Sequence, residues 1–210
     1  MKFNFTTKLT LLLGLCFVPF GLAHGQDNEG FAAERDAASA FALAHLSDRD
    51  PTVRQRAAEV LAKFSDADHL RLTEGYRLQE NNERVRLALD WALYRMGKRD
   101  TLYGIVRELR SDSRRPQAVG YLSQLVGPES LYGFFEGADS KTVIGLLQVM
   151  ASIGDAETLE FIRPFEASFE PNVSHAARLT TSEITKRLAQ PRPDVLTRPR
   201  EVSADKSSTP

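Results

Sequence analysis

The sequence predicts an all-α protein: an α-solenoid of about five antiparallel helix pairs with a period of 28–32 residues. Two series of apolar positions predict this period, one for the first helix of each pair and one for the second. No segment between residues 26 and 190 shows the apolar–polar alternation of a β-strand. One helix pair alone cannot bury its apolar face, so repetition lets neighbouring pairs cover one another.

The first helices are marked by a leucine that follows a polar pair, as in DTLYGIVREL and ESLYGFFEG. A carboxylate and a hydroxyl at that place suit the unpaired N–H groups of a helix start. The segment AAERDAASAFALAHL supplies the first helix of the first unit. In the next four units the leucine recurs at intervals of 32, 29 and 28 residues, at Leu70, Leu102, Leu131 and Leu159.

The second helices carry apolar residues at helical spacing. The first of them is DPTVRQRAAEVLAKF, in which Asp50 suits the cap and Pro51 the first turn. Its successors contain ERVRLALDWALYRMG, RRPQAVGYLSQLVG, KTVIGLLQVMASIGD and NVSHAARLTTSEI. One landmark recurs at intervals of 32, 29, 28 and 31 residues, at Leu61, Leu93, Leu122, Met150 and Thr181. Because the first three intervals equal those of the leucine series, the two helices of a unit repeat together.

The segment LSDRDPTVRQRAAEVLAKF resembles a HEAT repeat of the short, phycobilisome-lyase-like type. The likeness lies in an Asp-Pro-x-Val-Arg helix start followed by two alanines and a leucine. It is partial in NERVRLALDWAL, which lacks the proline, and it weakens towards the fifth unit, covering about residues 31–189. The resemblance implies a right-handed stack of helix pairs, and it implies no particular chemistry because the family contains both scaffolds and enzymes.

Charged residues recur at the start of the second helices. The resemblance implies that acids and arginines there form a ladder between units; an anion-binding stripe is the alternative. Val143 and Ser174 stand at the arginine position of the last two units, so the ladder should stop after the third unit. The expected members are Asp50, Arg54, Arg86, Asp112 and Arg115, with Asp48 and Glu83 nearby.

An aromatic group on the second unit's second helix is the candidate binding site. At about 100° per residue, Leu87, Trp91 and Tyr94 project away from the core residues of that helix, with Arg95 beside them. Trp, Tyr and Arg dominate binding hot spots, so these four residues could anchor a partner on the concave face. The alternative is that this helix, in the middle of the stack, is buried on most sides.

Both ends of the chain differ from the repeats. Residues 1–25 predict a cleavable export signal, with Lys2 and Lys8 before the apolar run LTLLLGLCFVPFGLA and small residues at cleavage sites after Ala23 or Gly25. We therefore expect a periplasmic or secreted protein with no stable membrane span after cleavage. Residues 26–190 form the expected solenoid, and residues 191–210, with four prolines and few apolar residues, predict a disordered tail.

Composition narrows the function. Without Lys2 and Lys8, 25 basic and 28 acidic residues remain, a formal charge of −3 that gives no case for nucleic acid. No His, Cys or carboxylate pattern indicates a metal, a cofactor or a catalytic group. The sequence thus favours an exported scaffold that holds a protein or peptide. A bilin-lyase-like enzyme, an enzyme-accessory subunit and a structural envelope spacer are the alternatives.

Overall fold

The computed structural model describes residues 27–190, and side chains from residue 33 onwards. Within that range it is all-helical, with no β-strand and with 3₁₀ turns at Ala67–His69 and Glu108–Arg110. The expected export signal (1–25) and tail (191–210) lie outside the described residues. The helices are α1 (Asp27–His45), α2 (Pro51–Phe64), α3 (Leu70–Gln79), α4 (Glu83–Arg95), α5 (Thr101–Arg107), α6 (Arg115–Leu122), α7 (Glu129–Tyr132), α8 (Ser140–Ile153), α9 (Ala156–Glu166) and α10 (Pro171–Ala189).

Side-chain caps fix the start of most of the longer second helices. Asp50 Oδ1 accepts a hydrogen bond of 2.8 Å from the Thr52 amide at the start of α2, where Pro51 fills the first turn. Asn82 caps α4 and Asp139 caps α8 in the same way. These side chains satisfy amide groups that have no partner inside the helix.

Most odd-numbered helices pack on the even-numbered helix that follows them, and each even-numbered helix also packs on the next even-numbered one. Thus α1 packs on α2, α3 on α4 and α9 on α10, while α4 also packs on α2 and α8 on α10. The buried apolar side chains form one cluster that runs from α1 to α10. Between residues 27 and 190, no helix has the length and apolar character needed to cross a bilayer.

Helix α8 packs closely against the 3₁₀ turn after α5. A Cβ placed on Gly145 of α8 would lie 2.7 Å from Cβ of Leu109, which is fully buried. Glycine therefore allows the backbone of α8 to approach this turn, at the cost of some helix propensity.

The charged links between units differ from the expected ladder. Arg54 pairs through Nε at 2.7 Å with Glu80, at the end of α3, because the carboxylate of Asp50 is already engaged in capping α2. Arg115 contacts Asp112 at 3.1 Å, within its own unit. Among the described ion pairs none involves Arg86.

The links also continue beyond the third unit. Lys141 of α8 donates to Asp112 at 2.9 Å, so the fourth unit is joined to the third by a residue two places before the expected position, Val143. Arg114, adjacent to Arg115, contacts both Glu83 and Glu108. Neighbouring residues thus make several of the contacts that the repeat pattern assigned to the arginine position itself.

Candidate functional site

The candidate anchor residues of α4 divide into buried and exposed members. Leu87 and Trp91 are both 2% exposed, whereas Tyr94 is half-buried and Arg95 is exposed. The expectation that Leu87 and Trp91 project into solvent is wrong. Helix α4 is packed by α2, α3, α5 and α6, so the side opposite its first core face is covered as well.

Trp91 lies within a stack of three aromatic rings. Its ring centroid is 5.7 Å from that of Tyr121 on α6, with planes 1° apart, and 5.6 Å from that of Tyr94, with planes 16° apart. Offset parallel packing of this kind suits aromatic quadrupoles and adds about 0.5–1.5 kcal/mol per pair beyond area burial. The stack joins α4 rigidly to α6.

Arg95 lies above this stack. Its Cζ is 5.6 Å from the centroid of the Trp91 ring, within the range of a cation–π contact. No hydrogen bond from its guanidinium to any described residue is present. The indole therefore positions Arg95 through the ring face and leaves its N–H groups unused.

A polar network closes one side of the stack. The Tyr121 hydroxyl donates to Glu59 Oε1 at 2.7 Å and accepts from Gln117 Nε2 at 2.8 Å. Gln55 Nε2 donates to the same Glu59 oxygen at 2.9 Å. Burial raises the pKa of the Tyr121 hydroxyl above its ordinary value, so it stays protonated and remains a donor to Glu59.

Two clefts adjoin the stack. One, of about 500 Å³, lies over α2, α4 and α6, and the other, of about 580 Å³, continues past the end of α4 towards α7. Trp91, Arg95 and Gln124 line both of them. We call the two clefts together the second-helix groove. Its other polar lining comes from Glu59, Lys63, Gln117, Arg99, Glu129 and Ser130.

The repeat explains why the groove is there. Glu59, Trp91 and Gly120 occupy one position in successive units, separated by 32 and 29 residues. Trp91 fills its place with a ring, whereas Gly120 is exposed and a Cβ there would meet nothing within 4 Å. The missing side chain on α6 leaves the space that becomes the first cleft.

A polar row borders that space. Lys63, Arg95 and Gln124 also occupy one repeat position, and all three are exposed. Of these three residues, only Arg95 is recognisable from the pattern of α4 alone. Comparison of equivalent positions between units was the signal that would have found Lys63, Gln124 and Gly120.

No group of three or more His, Cys, Asp or Glu side chains between residues 33 and 190 is arranged to hold a metal ion. The groove presents side-chain amides and charged groups over buried aromatic rings. Comparison of the chain with protein-family models and with curated proteins yields no match.

Proposed function

We propose that this protein is an exported, non-enzymatic scaffold that holds an extended segment of another protein in the second-helix groove. The observation that carries the proposal is the groove itself: two adjoining clefts share Trp91 as floor and Arg95 as border. Gln124 borders it with a carbonyl oxygen and one N–H group that no described residue engages, and such groups can pair with the peptide groups of an extended chain. The N–H groups of Gln117 donate to the Arg84 carbonyl and the Tyr121 hydroxyl, which leaves its carbonyl oxygen for a ligand. The buried aromatic rings beneath the groove hold its polar border in place.

The proposal includes the architecture that the sequence predicts. Five helix pairs, α1–α2 to α9–α10, stacked as a short HEAT-like solenoid would place the even-numbered helices on the concave face. The packing of α2 on α4 and of α8 on α10 supports this arrangement. Export depends on residues 1–25, and mass spectrometry of the exported protein should give an N-terminus at His24 or Gln26. An intact Met1 on membrane-embedded material would contradict export.

Groove binding is tested by filling the groove. Gly120→Trp adds a large side chain to a position where its Cβ meets no atom within 4 Å, so it should occupy the first cleft without disturbing the core. A library of random short peptides is passed over the immobilised, purified protein. We expect the wild type to retain peptides and Gly120→Trp to lose most of this binding.

A matched control separates groove filling from a general effect of tryptophan. Gly133 is also exposed and its Cβ would also meet nothing within 4 Å, but it does not line the groove. Gly133→Trp should bind as the wild type does. Equal retention by wild type and Gly120→Trp, or no retention by either, would refute the proposed function.

A further inference from the structure

We propose that the segment held in the second-helix groove is acidic, and that its carboxylates bind to Arg95 and Lys63. This inference rests on the proposed function and adds the chemistry of the partner. The cations of the groove form no ion pair with a described residue, whereas its acid Glu59 accepts hydrogen bonds from other side chains of the protein.

Arg95 is the central cation of the groove. It lines both clefts, so one guanidinium faces a ligand along the length of the groove. The Trp91 ring holds it at 5.6 Å, which reduces the entropy lost when a ligand binds. Its planar N–H fork, engaged by no described acid, matches the geometry of a carboxylate.

Lys63 and Arg99 extend the positive charge along the groove on either side of Arg95. Lys63 lines the first cleft at the repeat position of Arg95, and its Nζ lies 5.6 Å from the ring of Phe64. Arg99 lines the second cleft and is exposed. Neither side chain forms an ion pair with a described residue. A row of three cations, one in each cleft and one shared, suits carboxylates spaced along an extended chain.

The negative charge of the groove is smaller and partly engaged by the protein. Glu59 Oε1 accepts from both Tyr121 and Gln55, which spreads its negative charge into a hydrogen-bond network. Glu129, the other acid in the lining, offsets only one of the three cations. A ligand therefore gains more by supplying negative charge than positive charge.

The experiment uses the same peptide library and asks what the bound peptides contain. We expect Asp and Glu to be enriched in the pool retained by the wild type, and binding to weaken as salt concentration rises. Binding of individual selected peptides is then measured beside versions in which Asp and Glu are replaced by Asn and Gln. Each replaced contact residue should weaken binding on the order of tenfold, as expected for a charge-assisted hydrogen bond.

Variants that remove positive charge test whether the preference for acidic peptides depends on Lys63 and Arg95. The double variant Lys63→Gln/Arg95→Gln should still retain peptides but lose the enrichment of Asp and Glu. The control, Arg56→Gln/Arg71→Gln, removes the same charge from exposed residues outside the groove and should keep the enrichment.

The outcomes separate the inference from the function on which it rests. Retention that Gly120→Trp abolishes, but without enrichment of Asp and Glu, would overturn the acidic partner and leave groove binding standing. Loss of enrichment in both double variants would show a general charge effect and would also overturn the inference. A single-stranded oligothymidylate should not displace the acidic peptides. If the oligothymidylate bound to the groove and displaced the peptides, the groove would be a phosphate-binding surface, and the acidic-peptide inference would be overturned.

Discussion

Replacing Thr73 by valine should stabilise the protein. Thr73 lies in α3, is fully buried, and its hydroxyl has no hydrogen-bond partner among the described residues. Burying a hydroxyl without a partner costs about 1–3 kcal/mol by protein mutational data. Valine has nearly the same shape and a similar helix propensity, so Thr73→Val removes this cost without leaving a cavity.

The expected gain is about 1–3 kcal/mol in the free energy of unfolding. For a domain of this size each kcal/mol raises Tm by about 2–4 °C. Urea denaturation followed by circular dichroism measures the gain directly. The slope of the unfolding free energy against urea should stay unchanged, because both chains expose the same surface on unfolding.

A second threonine provides the matched control. Thr180 in α10 is 3% exposed, and two carbonyl oxygens lie within reach of its single hydroxyl proton, that of Leu147 in α8 at 3.0 Å and that of Ala176 at 2.9 Å. Thr180→Val removes a paired hydroxyl and should destabilise the protein by about 0.5–1.5 kcal/mol. Loss of stability in Thr73→Val, or a change of the same sign in both variants, would refute the reasoning.

Three further substitutions test other parts of the structure. Trp91→Ala should cost about 3–5 kcal/mol of stability in a thermal melt, because the side chain is 2% exposed; as the only tryptophan, Trp91 should give blue-shifted fluorescence in the wild type. Glu80→Gln should lower stability at neutral pH. The hydrogen bond from Arg54 lowers the pKa of Glu80, so this contribution is complete above the ordinary glutamate pKa and disappears as pH falls through the lowered one. In urea titrations the difference from wild type should therefore shrink on acidification. Gly145→Ala should destabilise by about 1–3 kcal/mol despite alanine's better helix propensity, because the new Cβ meets buried Leu109; an unchanged Tm would contradict the close approach.

The sequence predicted the helices well, because most positions of its two repeat series are buried, although Leu70, Leu159 and Thr181 are only half-buried. Leu61, Leu93, Leu122 and Met150 are all at most 1% exposed, and each lies on a helix that the periodicity had placed. Caps were also predictable where a short polar side chain precedes a proline, as Asp50 does. The stacked arrangement of the pairs stays a prediction from the period and the HEAT resemblance.

The environment of α4 could not be predicted from one helix. An angular projection shows which side chains share a face, but it does not show how many faces a neighbour covers. Trp91 and Leu87 lie opposite the first core face and are buried nonetheless; α6 covers Trp91 with the ring of Tyr121. The partner of Arg54 was missed for a similar reason: Glu80 follows it by 26 residues and belongs to the next unit.

Because Trp91 is buried, its role in the proposed site is to position other side chains and not to contact the ligand. A ring that is 2% exposed offers a ligand almost no surface, so it cannot be the main contact. It can, however, fix the positions of Tyr94, Tyr121 and Arg95, since all three pack directly on it. In the proposed site, the exposed ends of Arg95 and Lys63 bind the ligand, and the Trp91 ring stabilises the fold. Stability and binding should therefore separate by residue: Trp91→Ala should impair both, whereas Lys63→Gln/Arg95→Gln should change ligand preference with little effect on Tm, since substitutions at exposed positions usually cost within about 0.5 kcal/mol.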